Sequence, residues 1–290
     1  MGEVDLHTHS IVSDGSDTPA ELAVKAKSLG LKAFALTDHD SISGLEEARK
    51  AAAKVGIEFL NGMELTVEYK GHKLHIVCLG FDPEHPSFKA IYRKVRAIKE
   101  GSIPEIIDFI KDKGVDISVE KVMPYAHNNI LDRYAIMRYL VSLHIRDRVQ
   151  ALWDEYLDPA AVELGLNYSI TAEEALPLIS EAGGVTSLAH FHKEIGLKWL
   201  DTRKEQEQAI LRLHALGLDG MERYYTNYTA DDAAFASYMI DKYKLLATGG
   251  TDYHGLNRRG VELGCGTGNL SIPYEVVSDI KKVLATRRSH

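Results

Sequence analysis

The sequence has little cysteine, no long apolar run and no excess of positive charge, and each of these absences excludes a class of protein. Only Cys78 and Cys265 are present, which argues against a disulfide scaffold and fits a reducing compartment. No run approaches the roughly 18 apolar residues of a membrane span, and the first residues form no basic and apolar signal segment. We therefore expect a cytoplasmic protein without a membrane partner.

Acidic residues outnumber basic ones, since 42 Asp and Glu stand against 34 Lys and Arg for a formal net charge of −8. This balance provides no broad basic surface, so duplex nucleic acid is not an expected partner. An anionic substrate would need positive charge supplied locally, and bound divalent cations can supply it. The sequence leaves the oligomeric state open.

The composition is otherwise that of an ordinary globular protein, with 45% hydrophobic and 26% charged residues over 290 positions. About seven short apolar runs alternate with helical patterns. One lies at the start of the chain, and the others lie at residues 32–37, 57–60, 74–81, 184–190, 220–224 and 245–248. This alternation predicts an α/β fold with a parallel sheet or barrel. Ser43 and Glu46 are expected to cap the second helix.

The alternation stops between residues 99 and 167, where helical patterns follow one another without a convincing strand. These patterns lie at residues 102–113, 132–143 and 147–157. We interpret the stretch 99–167 as a helical insertion. Residues 1–98 and 168–290 would then form the barrel domain.

Two histidines stand near the start of the chain, in the segment Asp-Leu-His-Thr-His-Ser at residues 5–10. On a strand, side chains two residues apart project to the same face, so His7 and His9 are expected to point together. Two imidazoles that converge in this way can bind one metal ion. A lone His-x-His also arises by chance, so the motif indicates a metal site only if the sequence supplies further ligands.

Further potential ligands recur at the ends of the other strand-like runs. They are Asp14, His39, Asp40, Glu64, His75, His190, Asp252 and His254. In a barrel, the loops after the strand ends build the active site at one rim. A solvated histidine has no reason to recur at this position, so the pattern indicates one site assembled from distant segments.

Some neighbouring polar residues have two interpretations. Asp5 could orient a ligand imidazole or be an ordinary carboxylate at the start of a strand. Asp40 could contact a metal-bound water, whereas Asp38 is expected to be structural. Glu222 is expected either to support the ligands from outside or to take part in packing, and Arg258 either reaches a phosphate or belongs to the surface.

These segments resemble the PHP (polymerase and histidinol phosphatase) family of metal-dependent phosphoesterases. The matching segments, in the order of the family, are residues 5–10 with 13–15, residues 37–40, residues 62–65, His75, residues 189–190 and residues 251–255. The resemblance extends over nearly the whole chain. It implies a distorted (β/α)7 barrel with a helical insertion that covers the active-site mouth.

The resemblance also implies a centre of two or three divalent metal ions. The first would be bound by His7, His9, Glu64 and Asp252, the second by Glu64, His75 and His190, and the third by Asp14, His39 and His254. Mixed imidazole and carboxylate ligands suit Mn, Fe or Zn better than Mg or Ca. A hydroxide bridging two ions would attack phosphorus in line, and Asp14 and His254, or a water bound at the third ion, would assist the leaving oxygen.

One family element departs from its usual form. Relatives carry an Arg-Pro-His element in the insertion, and Arg133 matches its phosphate-contacting arginine. The proline and histidine positions are Tyr134 and Ala135 here, which leaves open what replaces the histidine. His192 is a candidate for this substrate contact, and a surface or supporting position is the alternative.

The function implied is hydrolysis of a small phosphate ester, with a nucleotide or the end of a short oligonucleotide as the favoured substrate. Histidinol-phosphate phosphatase is the alternative enzyme, and hydrolysis of an amide by the same centre is a further one. A non-catalytic metal-binding PHP module is the alternative from another class. Because none of the nine ligand positions has lost a ligand-type residue, an enzyme is favoured.

Overall fold

The computed structural model describes residues 2–166 and 169–288. Residues 167 and 168, between which the sequence places the boundary of insertion and barrel, lie outside this described part. Within it the chain folds into a mixed α/β structure with eight strands and twelve α-helices. None of the described helices is long and apolar enough to span a bilayer.

The strands form one strongly curved sheet. They are β1 (Val4–Asp5), β2 (Ala33–Leu36), β3 (Glu58–Tyr69), β4 (His72–Leu79), β5 (Ile170–Thr171), β6 (Val185–Leu188), β7 (Gly220–Tyr225) and β8 (Leu246–Gly250). Their order is β1-β2-β3-β4-β6-β7-β8, and β5 pairs with β3 outside this path. The two edges meet where the Leu6 N–H donates to the Gly249 carbonyl oxygen at 3.2 Å. The distorted (β/α)7 barrel expected from the sequence is therefore confirmed.

One strand runs against the others. β4 pairs antiparallel with both β3 and β6, so the expected parallel sheet is interrupted at this strand. Lys70 and Gly71 join β3 to β4 with φ values of 54° and 80°, which are the positive values that a two-residue hairpin turn requires. The direction was not predicted because a short apolar run carries no information about strand polarity.

The helices follow the strands around the barrel. They are α1 (Pro19–Ser28), α2 (Leu45–Val55), α3 (Pro86–Glu100), α4 (Ile103–Asp112), α5 (Val119–Val122), α6 (Arg133–Ser142), α7 (Val149–Leu152), α8 (Asp158–Glu163), α9 (Ala172–Glu181), α10 (Arg203–Ala215), α11 (Ala230–Tyr243) and α12 (Glu275–Arg288). The expected cap of α2 at Ser43 is wrong, because Gly44 is the N-cap. A Cβ at Gly44 would lie 2.9 Å from the Val12 side chain, so only glycine fits this close approach.

Helices α4 to α8 lie within the stretch that the sequence assigns to the insertion. Their apolar faces form a buried core of their own, which includes Ile106, Ile136 and Leu157. A π-helix, Trp153–Leu157, connects α7 to α8. Arg138 links this layer to the barrel, because its guanidinium donates to the carbonyl oxygens of Ile11 and Ser13 at 2.8 Å each.

The last helix, α12, closes one end of the barrel. Its buried side chains Val277, Ile280 and Leu284 pack on Val4 and Val185, which lie where β1 and β6 begin. The parallel strands therefore start against a sealed apolar end and finish at the opposite rim. That rim carries the polar site.

Candidate metal centre

The nine ligand-type residues predicted from the sequence come together at the rim where the parallel strands end. Seven of them follow β1, β2, β6 or β8 in loops: His7, His9, Asp14, His39, His190, Asp252 and His254. Glu64 lies inside β3 and His75 inside β4. β4 runs antiparallel to its neighbours. The first half of β4, which carries His75, therefore lies at the same rim as the C-terminal ends of the parallel strands.

Close approach of β1 and β8 positions His7. A Cβ on Gly250, the last residue of β8, would lie 2.3 Å from the His7 Cβ, so a larger residue there would displace the histidine. The backbone of Asp252 is fixed in turn, since its N–H donates to the His7 carbonyl oxygen at 2.9 Å. Asp252 has a φ of 57° and His190 a φ of 26°, which are strained conformations maintained by their surroundings.

A first group of four ligand atoms surrounds one point. His7 Nε2 lies 3.1 Å from Glu64 Oε2 and 3.4 Å from Asp252 Oδ1. His9 Nε2 lies 3.2 Å from the same Glu64 oxygen and 3.3 Å from the same Asp252 oxygen. The four atoms lie within 4.8 Å of one another, a spacing that suits coordination of one ion.

Two further groups adjoin the first. Glu64 Oε1 lies 3.0 Å from His75 Nδ1 and 2.9 Å from His190 Nε2, the pairing predicted for the second ion. His39 also approaches this group, with Nδ1 3.2 Å from Glu64 Oε2. The last group combines His9, Asp14, His39 and His254. Glu64 therefore contributes to two groups, as a bridging carboxylate would.

Unsatisfied hydrogen-bonding atoms test whether these residues fit metal ions. Among the described residues, thirteen buried side-chain nitrogen and oxygen atoms have no hydrogen-bond partner, and eight belong to this cluster. They are His7 Nε2, both ring nitrogens of His9, Asp14 Oδ1, His39 Nδ1, Glu64 Oε2, His75 Nδ1 and His190 Nδ1. Burying a polar atom without a hydrogen-bond partner is costly. A bound cation would remove this cost, because imidazole nitrogens and carboxylate oxygens are ligands of Mn, Fe and Zn. The donor set therefore fits divalent cations.

Burial and charge set the protonation of these ligands. Burial lowers the pKa of His39 to about 3 and that of His190 to about 3, so both rings are neutral at pH 7. Burial also opposes protonation of His9, but the carboxylates of Asp252 and Glu64 outweigh it and raise the pKa of His9 to about 10. The Glu64 pKa lies well below its ordinary value, because nearby imidazoles such as His7 outweigh the burial that would raise it. The cluster thus presents carboxylates that attract positive charge.

Glu222 supports two of the ligands from outside, in agreement with its expected supporting position. Its Oε1 lies 2.7 Å from His7 Nδ1, and its Oε2 accepts the backbone N–H of His190 at 2.6 Å. Asp5 proves to be structural, because its carboxylate accepts from the Thr251 N–H and hydroxyl, from the Gly264 N–H and, at 3.4 Å, from the backbone N–H of His7.

The two aspartates beside His39 also hold loops in place. Asp38 accepts three hydrogen bonds at 2.7 Å from Ser10 and Ser13, which confirms a structural position. Asp40 accepts from the backbone and hydroxyl of Thr66 at 2.8 Å and pairs with Lys99 Nζ at 2.7 Å. Both of its oxygens are therefore bound by protein groups.

The cluster opens into a cavity of about 460 Å³. Helices α6, α7 and α8 and the π-helix form one wall, which includes Arg133, Tyr134, Val149, Gln150, Trp153 and Asp158. The Arg133 guanidinium lies over the Trp153 ring at 4.7 Å, and its Nη2 donates to Asp158 Oδ1 at 2.7 Å. The Tyr134 ring stacks on His39 with the ring centres 5.9 Å apart. Ala135, in contrast, is buried in the apolar core that α4 to α8 share.

The structure places His192 outside the lining of this cavity. Its ring packs edge-on against Tyr228 at 5.0 Å and lines a second, shallower cavity. The next residue, Lys193, lines the main cavity instead and has its Nζ 3.1 Å from Asp252 Oδ2. Sequence reasoning missed Lys193, because its contact with Asp252 joins two loops that are distant in the sequence. The substrate contact predicted for His192 stays a prediction.

Comparison with known proteins agrees with this architecture. A family model described as the PHP domain matches residues 5–158. The chain is 31% identical over 266 residues to the 3′,5′-nucleoside bisphosphate phosphatase of Chromobacterium violaceum, with 91% of each chain covered. It is 31% identical over 255 residues to a 5′-3′ exoribonuclease of Haemophilus influenzae, covering 86% of this chain and 89% of the relative.

Solved structures show the same likeness. A proposed metal-dependent phosphoesterase from Bifidobacterium adolescentis superposes with a TM-score of 0.80 at 24% identity, covering 97% of this chain and 96% of that one, which shows a shared fold. An amidohydrolase from Chromobacterium violaceum, solved with bound sulfate and no metal, has a TM-score of 0.78 at 28% identity, with 99% and 97% covered. The family model and the relatives together show that this chain belongs to the PHP domain family.

Proposed function

We propose that this protein is a metal-dependent phosphoesterase, a hydrolase acting on phosphoric ester bonds, whose substrate is a nucleotide or the end of a short oligonucleotide. The observation that carries the proposal is the convergence of buried, unsatisfied imidazole and carboxylate atoms beneath a cavity lined by cationic side chains. Carboxylates and histidines favour cations, and the cations with the lining arginines favour an anionic ester.

The proposed ligands keep the assignment made from the sequence. His7, His9, Glu64 and Asp252 would hold one ion, Glu64, His75 and His190 a second, and Asp14, His39 and His254 a third. Two or three divalent ions of Mn, Fe or Zn, when bound, polarise the phosphoryl oxygens and activate water for in-line attack. Because Glu64 lies at the centre of the first two groups, its loss would affect both.

Arg133 is the proposed phosphate contact. Trp153 supports the flat face of the guanidinium, and Asp158 binds one of its nitrogens, so the side chain is held in a defined orientation along the cavity wall. A guanidinium fixed in this way can donate parallel hydrogen bonds to two phosphoryl oxygens and stabilise the charge that develops on them. The inserted helices that carry it would also cover the mouth of the site.

Asp14 and His254, or a water bound beside them at the third ion, are proposed to assist the leaving oxygen, and that water would be the group with a proton to give. His254 Nδ1 lies 2.8 Å from the Asp252 carbonyl oxygen, which can only accept, so this nitrogen carries the proton. His254 Nε2 then faces Asp14 Oδ1 at 3.3 Å. The pair sits at the edge of the cluster and lines the cavity, where a leaving group would emerge.

The nucleotide preference draws on the relatives. Proteins named as a nucleoside bisphosphate phosphatase and as an exoribonuclease match at least 86% of this chain. Both names describe phosphate esters of nucleosides. Tyr134 and Ala135 stand where the Arg-Pro-His element has its proline and histidine. The chain therefore lacks the imidazole of that element beside Arg133, since Tyr134 lines the cavity and Ala135 is buried in an apolar core.

The test is a panel of phosphate esters with protein loaded with Mn²⁺ and checked for metal content. We expect nucleotide esters to be hydrolysed and histidinol phosphate and amide substrates to be spared. Glu64→Gln should abolish turnover, whereas Glu68→Gln, on the same strand but outside the three ligand groups, should retain it. Failure of fully loaded protein to hydrolyse any ester would refute the proposal, and a preference for histidinol phosphate would replace the nucleotide assignment.

A further inference from the structure

Arg138 on helix α6 binds the barrel through backbone carbonyl groups. Its Nη1 donates to the carbonyl oxygens of Ile11 and Ser13 at 2.8 Å each, and its Nε donates to the Tyr125 carbonyl oxygen at 2.8 Å. Hydrogen bonds with a charged donor are stronger than those between neutral groups. One side chain of α6 therefore holds the barrel loop that precedes α1.

This loop carries a proposed metal ligand. Asp14 follows Ser13 directly, and it belongs to the group that we call the third ligand group, formed by His9, Asp14, His39 and His254. The loop after β8 binds the same stretch, since Asn257 Nδ2 donates to the Asp14 carbonyl oxygen at 2.8 Å. The backbone around Asp14 is therefore held by the barrel and by α6 together.

A second side chain on the same face of α6 reaches the third ligand group. Tyr134 precedes Arg138 by four residues, a spacing that places two side chains on one face of a helix. The Tyr134 ring lies within 3° of parallel to the His39 ring, with the ring centres 5.9 Å apart. His39 Nε2 in turn lies 3.7 Å from Asp14 Oδ2. One face of α6 thus borders two of the four members of the third ligand group.

The other two ligand groups are held by the strands of the barrel. His7 is fixed by the Glu222 carboxylate at 2.7 Å and by the close approach of Gly250. Glu64 and His75 lie within β3 and β4 themselves. A shift of α6 should therefore disturb the third ligand group more than the first two.

The same helix carries the proposed phosphate contact. Arg133 is the first residue of α6 and lines the cavity. A helix is a rigid element, so the contacts that anchor Tyr134 and Arg138 also fix the position of Arg133. The third ligand group and the cavity wall are therefore joined by one helix.

We propose that Arg138 is a positioning residue for the third metal site and couples the filling of that site to the docking of α6 on the barrel. The inference rests on the proposed function, because it takes the third ligand group to bind an ion. Coupling between two equilibria is reciprocal, so a docked α6 favours the ion and the ion favours a docked α6 by the same factor. Filling the third site then also fixes Arg133 at the cavity wall.

Metal counting tests the effect of Arg138 on the third site. Chelator-treated protein is titrated with Mn²⁺ by calorimetry, and bound Mn²⁺ per chain is counted by elemental analysis. Arg138→Met removes the donors and keeps an unbranched side chain, whereas Arg138→Lys keeps the charge and a donor. Arg288→Met is the matched control, because Arg288 also lies on a helix and donates to a backbone carbonyl oxygen, that of Gly80 at 2.9 Å beside the closed end of the barrel.

We expect wild-type protein to bind three Mn²⁺ ions at saturation. Arg138→Met should bind the third ion about 10- to 100-fold more weakly and leave the other two affinities unchanged, as for other residues that orient ligands. Arg138→Lys should retain part of the third-site affinity, and Arg288→Met should retain all of it. Equal weakening of all sites, an unchanged third site, or saturation of the wild type at two ions would overturn the inference.

Hydrogen exchange tests the reciprocal effect on wild-type protein, so its outcome does not depend on the folding of a variant at Arg138. The backbone amides of α6 should exchange roughly tenfold more slowly when Mn²⁺ fills the third site than when it fills only the first two. The amides of α10, a helix outside the cavity lining, should not respond. Asp14→Asn should abolish the response of α6, because it weakens the third site itself.

The two measurements separate this inference from the proposed reaction. Exchange of the α6 amides that is independent of the third ion would overturn the coupling. Three-site binding with the expected response of α6, but without turnover of any phosphate ester, would support the inference and reject the proposed function.

Discussion

His7 Nδ1 lies 2.7 Å from Glu222 Oε1, in a buried contact that joins residues 215 positions apart in the chain. A carboxylate can only accept, so Glu222 holds a proton on His7 Nδ1 and leaves Nε2, which lies beside Glu64 and Asp252, as the nitrogen that would bind a metal ion. The other oxygen of Glu222 accepts the backbone N–H of His190. One carboxylate therefore sets both the tautomer of one proposed ligand and the backbone of another.

Glu222→Gln should disrupt this arrangement although it preserves shape. An amide has one accepting oxygen, so it satisfies either His7 or the His190 N–H and turns its NH₂ group towards the other. If the NH₂ group faces His7, the ring must carry its proton on Nε2 and loses its ligand lone pair. We expect metal affinity to fall about 10- to 100-fold, as for other residues that orient ligands. Chelator competition with metal analysis measures the change.

Glu207→Gln is the matched control for this variant. Glu207 binds Tyr243 and Lys242 on the outside of the barrel, away from every proposed ligand. It should leave metal affinity at the wild-type value. Wild-type affinity in Glu222→Gln would show that His7 does not need this partner.

The site was largely predictable because its ligands obey strand geometry. His7 and His9 are two residues apart, and alternation on an extended segment places both rings on one face. His190 and Asp252 follow strands whose ends share a rim. These relations are local to each strand, so a single sequence contains them.

The supporting residues were harder to predict because their contacts are set by tertiary structure. Lys193 reaches Asp252 across two loops, and no local pattern indicates that distance. The reversed direction of β4 was also missed, although Lys70 and Gly71 form a short turn whose glycine was a signal for a hairpin. Helix α12 has an apolar stripe at Val277, Ile280 and Leu284 that was not used.

Metal removal should lower thermal stability, because the cluster leaves buried ligand atoms without partners. An ion that binds only the folded state at about 100 times its dissociation constant adds roughly 2.7 kcal/mol. For a chain of this size we expect the melting temperature to rise by on the order of 5 °C when Mn²⁺ is restored to chelator-treated protein. Scanning calorimetry measures the shift.

The shift should depend on the ligands themselves. His75→Ala should reduce the shift, whereas His144→Ala, at an exposed position in the turn after α6, should retain it. Mg²⁺ should produce a smaller shift than Mn²⁺, since imidazole ligands suit Mg²⁺ poorly. Identical melting temperatures with and without Mn²⁺ would contradict the metal assignment.

Arg133→Lys should reduce turnover although it keeps the positive charge. The guanidinium lies over the Trp153 ring and binds Asp158, and lysine can neither stack on a ring as a planar group nor donate a parallel pair of hydrogen bonds. We expect kcat/KM to fall roughly 100-fold, the cost of removing one directed donor from a developing oxyanion. Arg146→Lys, which changes an exposed arginine paired with Glu155, should have no effect. Equal activity of the two variants would exclude Arg133 as the phosphate contact.

Asp40→Asn should destabilise the fold at the junction of barrel and insertion. Asp40 is buried and pairs with Lys99 Nζ at 2.7 Å, and its φ of 51° is one that asparagine also tolerates, so the backbone should be unaffected. Breaking a buried pair costs about 3–5 kcal/mol. Urea unfolding at pH 7 with excess metal should show a loss of this size in the free energy of unfolding. Asp279→Asn, which breaks an exposed ion pair with Lys282, should lower the free energy of unfolding by less than about 0.5 kcal/mol.

The pH dependence identifies the carboxylate as the cause. Burial alone would raise the pKa of Asp40, but the charge of Lys99 outweighs it and lowers this pKa below its usual value. A carboxyl with a depressed folded-state pKa stabilises the fold above its unfolded pKa of about 3.9, and this contribution is lost as the pH falls through the folded value. The difference in unfolding free energy between wild type and Asp40→Asn should therefore be constant from pH 8 to about 5 and shrink below about 4. A difference that stays constant into acid would mean that the ionised carboxylate of Asp40 does not account for the loss.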